Sequence, residues 1–195
     1  FDGHDALADS DTFPYRFQGI VPIIDFNGTD EEADSPDAAY WSRALASFSV
    51  GAWINLTVPA NTSILSKYAT AGDTREWRFH VIGTVALQLI LSDENDATTP
   101  NATIDTATDI GVSSNVWVFV VGTYDGTANA SGINLYMDGA VAASTDTDDA
   151  NFVSMRDTAA TVELGDAENA NFFDGLMAGG PLGPFFTHKE LTAND

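Results

Sequence analysis

Apolar residues in this chain recur at every second position far more often than at helical spacing. In 48–56, FSVGAWINL, the residues Phe48, Val50, Ala52, Ile54 and Leu56 share one parity. In 76–82, Trp77, Phe79 and Val81 share one face, and Arg78 and His80 the other. Further short apolar runs stand at 20–26, 63–68, 85–91, 116–124, 133–137, 140–143, 160–164, 172–178 and 182–187. Period two with β-branched and aromatic residues predicts strands. Asn27-Gly28, Asp125-Gly126 and Asp138-Gly139 punctuate them. Asp138-Gly139 is the strongest hairpin signal, because both central positions of a two-residue turn need positive φ. Helical spacing fits only 35–46, opened by Ser35-Pro36-Asp37, and 189–194. The polar stretch 93–109 reads as a surface loop. Many short strands with Gly, Asn and Asp turns predict an all-β, antiparallel two-sheet sandwich. Residues 1–19 read as an N-terminal arm, and 20–195 as one domain.

The run 116–124 is apolar on both parities. That predicts a strand buried on both sides, or one whose Trp117 packs against a neighbouring segment. Trp53, Trp77 and Trp117 all lie within apolar alternation and are expected in the core. Tyr40 and Trp41 fall between strands. They are the candidates for stacking on a sugar ring or anchoring a partner; the alternative is a cap over one end of the sandwich.

Charge narrows the partners. The chain has 29 acidic residues against 7 basic ones, a net charge of −22 over 195 residues. Such a surface repels nucleic-acid phosphates and anionic lipid headgroups. Self-repulsion also destabilises the compact state in dilute salt, whereas at 1 M salt the Debye length falls to ~3 Å and screens it. A hypersaline setting is therefore expected. No apolar run approaches the ~20 residues of a membrane span. With no cysteine, disulfides and thiolate metal sites are excluded. The chain opens on Phe1 and is expected to be a trimmed part of a longer protein.

Five N-x-S/T sequons occur among 12 Asn, at Asn27, Asn55, Asn61, Asn101 and Asn129. They are candidate glycosylation sites and point to an exposed, extracellular surface.

An ordered set of motifs resembles laminin-G-like and pentraxin-like domains of the concanavalin A-like jelly-roll superfamily. Asp25-Phe26-Asn27-Gly28 is similar to the first-strand motif. Phe48 to Ile54 resembles the F-T-x-x-A-W-I/V strand, and Ile64-Leu65-Ser66-Lys67 the L-x-S-K that follows. Trp117 to Gly126 with Ile133 to Gly139 resembles the central hairpins. Phe173-Asp174-Gly175-Leu176-Met177 and Phe185-Phe186 with Lys189 to Thr192 resemble the closing strands. The resemblance spans roughly 20–195 and implies a jelly-roll sandwich.

What the resemblance implies about function is broader, because this architecture hosts lectins, adhesion modules, glycanases and capsid parts. Sandwich glycanases carry paired carboxylates on one strand, and no such pair stands here. His4, His80 and His188 show no spacing of a nucleophile–base set. No catalytic residue is assigned. Pentraxin-like domains bind calcium through loop oxygens, and two segments resemble those loops. Residues 68–74 supply Asp73, and 164–169 supply Asn169. Ala167 stands where a ligating Glu is expected, with Asp166 or Glu168 as substitutes. One Ca2+ on Asp73, Asp166, Glu168 and Asn169 is the expectation. Two functions follow. The first is a non-catalytic extracellular, cell-surface or virion-surface structural or adhesion module of a larger assembly, recognising host glycans or other surface subunits. The second is a calcium-dependent lectin-like domain; a glycoside hydrolase ranks behind both.

Overall fold

The computed structural model describes residues 21–58, 60–83, 86–95, 99–168 and 170–195. The expected arm at 1–19 lies outside them. The first strands are β1 (Ile23–Asn27), β2 (Ala33–Ser35), β3 (Phe48–Leu56), β4 (Thr62–Lys67) and β5 (Trp77–Ile82). Then come β6 (Ala86–Asn95), β7 (Thr99–Gly111), β8 (Val118–Tyr124), β9 (Ile133–Met137) and β10 (Ala140–Val141). The last are β11 (Ser144–Asp148), β12 (Val162–Leu164), β13 (Asp174–Ala178) and β14 (Phe185–Thr187).

They form two antiparallel sheets. One runs β1-β13-β3-β8-β9-β10, with β14 also paired to β3; the other runs β11-β7-β6-β5-β4-β12-β2. This is a two-layer antiparallel sandwich, as the alternation predicts, with the jelly-roll architecture that the family resemblance implies. Phe48, Val50, Ala52, Ile54 and Leu56 of β3 are fully buried, as are Trp77, Phe79 and Val81 of β5 and Leu87, Leu89 and Leu91 of β6. Burying each large side chain stabilises the fold by ~1.5–3 kcal/mol. Phe186 crosses the layers, stacked on Phe48 at 5.1 Å and on Trp77 at 5.0 Å. Gly122 of β8 lets the sheets approach, since a Cβ there would stand 3.1 Å from Leu89 and 3.2 Å from Phe79. The Asp138-Gly139 turn closes β9 on β10 with φ of 51° and 80°, and Ala140 pairs with Met137.

Four expectations need correction. Of the polar stretch 93–109, the described residues 93–95 and 99–109 are strand, not loop. They form the end of β6 and most of β7, the longest strand. Its inward set is Ala102, Ile104, Thr106 and Thr108, all buried, alternating with half-exposed Thr103, Asp105 and Ala107. Thr is β-branched and fits a pleated surface, and Thr106 satisfies its hydroxyl on the Ala130 carbonyl and on Asp146. The period was present; polarity masked it.

Neither expected helix forms. Residues 36–47 run as successive turns, with Trp41 N on Ala38 O at 2.9 Å and Ala46 N on Arg43 O at 2.7 Å. A helix of about 12 residues is marginal alone. Tertiary bonds hold this segment instead: Trp77 Nε1 donates to Trp41 O, and Tyr40 OH to Phe186 O. Residues 189–194 turn about Asp195, which accepts from Thr192 N at 2.9 Å and pairs with Lys189.

The strands β2 and β11 were not foreseen, because ADS and STDTD carry no apolar alternation. Both are edge strands supported by a neighbour's backbone. Finally, Trp77 is core, but Trp53 is only half-buried and Trp117 is 37% exposed. The strand expected from 116 begins at Val118 and is not fully covered on its second side.

Candidate functional site

The parity that buries Phe48 through Leu56 turns Trp53 to the outer face of its sheet. On β8 the inward set is Val118, Val120 and Gly122, so Phe119 and Val121 also face out. Trp53 and Phe119 are directly paired across the ladder, with ring centroids 5.3 Å apart at 31°. Phe119 in turn lies 6.3 Å from Phe185 at 32°. Phe185 of β14 pairs with Gly51 and lays its ring over it; a Cβ on Gly51 would come within 2.7 Å of that ring. Glycine at 51 is what allows the ring to lie against the sheet. Tyr136 of β9, opposite Val121, extends the row.

Two adjoining depressions lie along this row. One, about 330 Å³, is lined by Val21, Ile23, Trp53, Trp117, Ala178 and Leu182. The other, about 270 Å³, is lined by Phe119, Val121, Tyr136, Phe185 and the 191–195 segment, with Asp195 at its edge. Burial and the nearby Glu190 raise the Tyr136 hydroxyl above its ordinary pKa, so it stays a neutral donor. Half-buried aromatic rings in a row, beside a few polar groups, bind flat apolar faces and orient them. Among the described residues no further layer covers this apolar surface, and surfaces of this kind are candidate interaction sites. Sequence reasoning placed Trp53 and Trp117 in the core. The parity of Trp53 against its own strand was the signal that could have found the face.

Tyr40 and Trp41 lie elsewhere. Tyr40 is 47% exposed, but its ring stacks on His188 at 4.4 Å, and His188 Nε2 bonds its carbonyl at 2.8 Å. Trp41 packs on the core 5.4 Å from Phe186. The pair caps one end of the sandwich and leaves one face of Tyr40 to solvent.

Of the expected calcium ligands, the three that are described, Asp73, Asp166 and Glu168, each have a different partner. Asp73 is exposed and bonds Arg75 at 3.0 Å. Glu168 spends its carboxylate on Thr70 Oγ1 and on Ala71 N at 2.7 Å. Burial alone would raise its pKa, but those bonds hold it below the ordinary value. The Asp166 side chain is fully buried and hydrogen-bonded to Glu32. Asn169 lies outside the described residues. Among the described residues, no three acidic or His side chains are arranged to hold a metal.

Glu32 itself is raised to about 7, first by its hydrogen bond with Asp166, then by burial and Asp166's charge. Asp34 is raised by burial and by Glu32, and Glu163 by burial and by both neighbours, against the Glu168 amide. These carboxyls crowd around β2 and β12 at a sheet edge, away from the aromatic row.

The sequons have local structural roles. Asn27 Oδ1 accepts from Thr29 N at 2.8 Å, Asn61 Oδ1 from Gly83 N at 2.7 Å, and Asn129 Nδ2 donates to Thr127 O at 2.7 Å. Asn55 is half-buried on β3, and Asn101 falls on β7.

Comparison with known proteins agrees with this architecture. A family model described as the concanavalin A-like lectin/glucanases superfamily matches residues 27–179. No curated protein matches the chain. Several solved structures share the fold at low identity. The sialidase CBM40 of Ruminococcus gnavus, bound to α2,3-sialyllactose, is 14% identical, with TM-score 0.52 over 90% of this chain and 96% of that one. Domain 4 of AbnA, an extracellular arabinanase of Geobacillus stearothermophilus, in complex with arabinotriose, is 12% identical, with TM-score 0.51 over 89% and 85%. The binding domain of botulinum neurotoxin serotype C1 is 14% identical, with TM-score 0.52 over 89% of this chain and 45% of that one. With the family model spanning most of the sandwich and the jelly-roll topology in place, the chain belongs to the concanavalin A-like lectin/glucanase superfamily.

Proposed function

We propose that this chain is a non-catalytic glycan-binding module of a larger extracellular, cell-surface or virion-surface protein. The observation that carries the reading is the uncovered row of Trp53, Phe119, Phe185 and Tyr136, flanked by two apolar depressions. A pyranose or furanose ring has an apolar face, and a half-buried indole or phenyl ring desolvates it without losing a hydrogen bond. That two similar folds were solved with sialyllactose and arabinotriose supports the class of ligand.

The absence of catalysis is part of the proposal. Glu32, whose carboxyl is pushed up to about 7, is bonded to Asp166, whose side chain is closed to solvent. A glycosidic carbon cannot reach Asp166, so the pair does not flank a scissile bond as glycoside hydrolysis requires. The reading invokes no calcium: Asp73 bonds Arg75, and Glu168 bonds Thr70 and Ala71.

Binding to a glycan array, followed by titration calorimetry on the hits, tests the proposal. Trp117→Ala and Trp53→Ala are expected to weaken binding by at least about 10-fold, equivalent to ~1.4 kcal/mol, while the melting temperature of Trp117→Ala stays near that of the parent. A folded sample that binds no glycan, or binding untouched by both variants, would overturn it.

A further inference from the structure

Among the described residues, the aromatic face carries no free cation to meet an anionic sugar. The described basic residues are each engaged elsewhere or neutralised. Lys67 is buried with Glu76, Arg75 pairs with Asp73, and Arg156 with Asp93. Arg43 bonds His188 and Ser47 O. Arg78 lies over the Tyr68 ring, on the other sheet. Lys189 is near the face, but Asp195 pairs with it.

The rim is acidic instead. Asp195 edges one depression, and Glu190 acts on Tyr136. Asp138, in the β9–β10 turn, accepts from Phe119 N at 2.9 Å. Asp25 and Asp174 share the parity of Ile23 and Ala178, which line the other depression, so they belong to the same face. Behind this rim stands a net charge of −22. Carboxylated, sulfated or sialylated sugars would approach that field without a counter-charge.

The face is also longer than one sugar. The Trp53–Phe119 contact joins the two depressions, so a ligand lying on it contacts rings on both sides. A second copy of this chain is disfavoured there by the same charge, carried by both partners.

We propose that the face binds the interior of a neutral glycan chain, spanning both depressions, and discriminates against anionic glycans. This rests on the glycan-binding reading above and names its ligand class. The similar CBM40 fold was solved with a sialylated ligand, so fold alone does not dictate this selectivity; the acidic rim does.

The test compares neutral polysaccharides (arabinan, galactan, β-glucan, mannan) with uronate-containing, sulfated and sialylated glycans, by affinity electrophoresis and calorimetry in 0.1 M and 1 M NaCl. A neutral chain should bind with an affinity little changed by salt. It should bind at least 10-fold more tightly than any anionic glycan in 0.1 M NaCl, and Trp117→Ala or Trp53→Ala should abolish the preference. Asp25→Asn with Asp174→Asn should narrow the gap. Anionic glycans bound as tightly as neutral ones in 0.1 M salt, with the same Trp dependence, would overturn this selectivity and leave the glycan-binding function standing. Three outcomes would overturn both: no glycan bound by folded protein; capture only of a Lys- and Arg-rich peptide, released by salt; or a dimer in sedimentation that Trp53→Glu dissociates.

Discussion

Glu76, immediately before β5, accepts hydrogen bonds from both the amide and the hydroxyl of Thr158, at 2.7 and 2.9 Å, 82 residues further along the chain. The same oxygen takes the ammonium of Lys67, and Lys67 donates onward to Thr158 O at 2.6 Å. Both charged side chains are fully buried. The irregular 149–161 segment is thereby fixed on the sheet, with Asp93 holding its other end through Val153 N, Ser154 N and Arg156 Nε.

Removing Lys67 leaves Glu76 buried without its cation, and removing Glu76 leaves the buried Lys67 with the more exposed Asp37 as its counter-charge, 3.1 Å away. Glu76→Ala is expected to destabilise the fold by ~3–5 kcal/mol, and replacing both Lys67 and Glu76 by apolar residues of similar size by much less. Urea unfolding of the single and double variants checks this. A single variant within ~1 kcal/mol of the parent would show that the ion pair is not what holds the segment.

Acid–base titration of stability should show the Glu32–Asp166 pair. Glu32 titrates at an ordinary 4.5 when unfolded and at about 7 when folded. The folded state therefore binds the proton more tightly, and stability falls as pH rises through that window. Raised Asp34 and Glu163 act in the same direction. Glu32→Gln should flatten the slope between pH 4.5 and 7, read from melting temperatures at constant ionic strength. An unchanged slope would refute the pairing.

Gly51 permits the Phe185 ring to lie on the sheet. A methyl group there would stand 2.7 Å from both that ring and the Val120 carbonyl. Gly51→Ala should cost ~1–3 kcal/mol, as overpacking does, and weaken glycan binding by displacing Phe185. Full stability with full binding in this variant would show that the ring is not seated as described.

Tyr40 and Trp41 offer a contrasting pair. Their contacts run to His188 and Phe186, at the end of the sandwich. Tyr40→Ala should lower stability by ~0.5–1.5 kcal/mol through the lost ring contacts and leave glycan affinity unchanged. Affinity lost with stability retained would move the binding site to this end and restore the sugar-stacking role expected of the two rings.

Salt should stabilise the domain. With 29 acids against 7 bases, repulsion in the folded state exceeds that in the more expanded unfolded chain. Melting temperature should climb as NaCl is raised from 0.05 to 1 M, with most of the gain where the Debye length falls below ~10 Å. A flat profile would remove the argument for a high-salt setting.

Several features were legible from residues alone. Alternation in 48–56 and 76–82 fixed which side chains of β3 and β5 face the core, because a strand has only two faces. Asp138-Gly139 fixed a hairpin, because few dipeptides accept two positive φ values. The net charge gives the expectation, without any coordinates, that nucleic acids and anionic membranes are poor partners. The tertiary structure decided the rest. Thr-rich β7 is a strand because β6 and β11 satisfy its backbone on both sides and Thr106 finds buried partners, none of which its own polarity shows. Residues 36–47 stay turns because Trp77 and Phe186 capture Trp41 and Tyr40. Asp73, Asp166 and Glu168 read alike as acids in loops, and only the fold gives each a different partner. Trp77 and Trp53 both lie in alternating strands, Trp77 on the apolar parity of β5 and Trp53 opposite the apolar parity of β3. One is sealed between two sheets and the other stands on an uncovered face, because a period of two divides a strand into sides and only the packing of layers determines which side meets water.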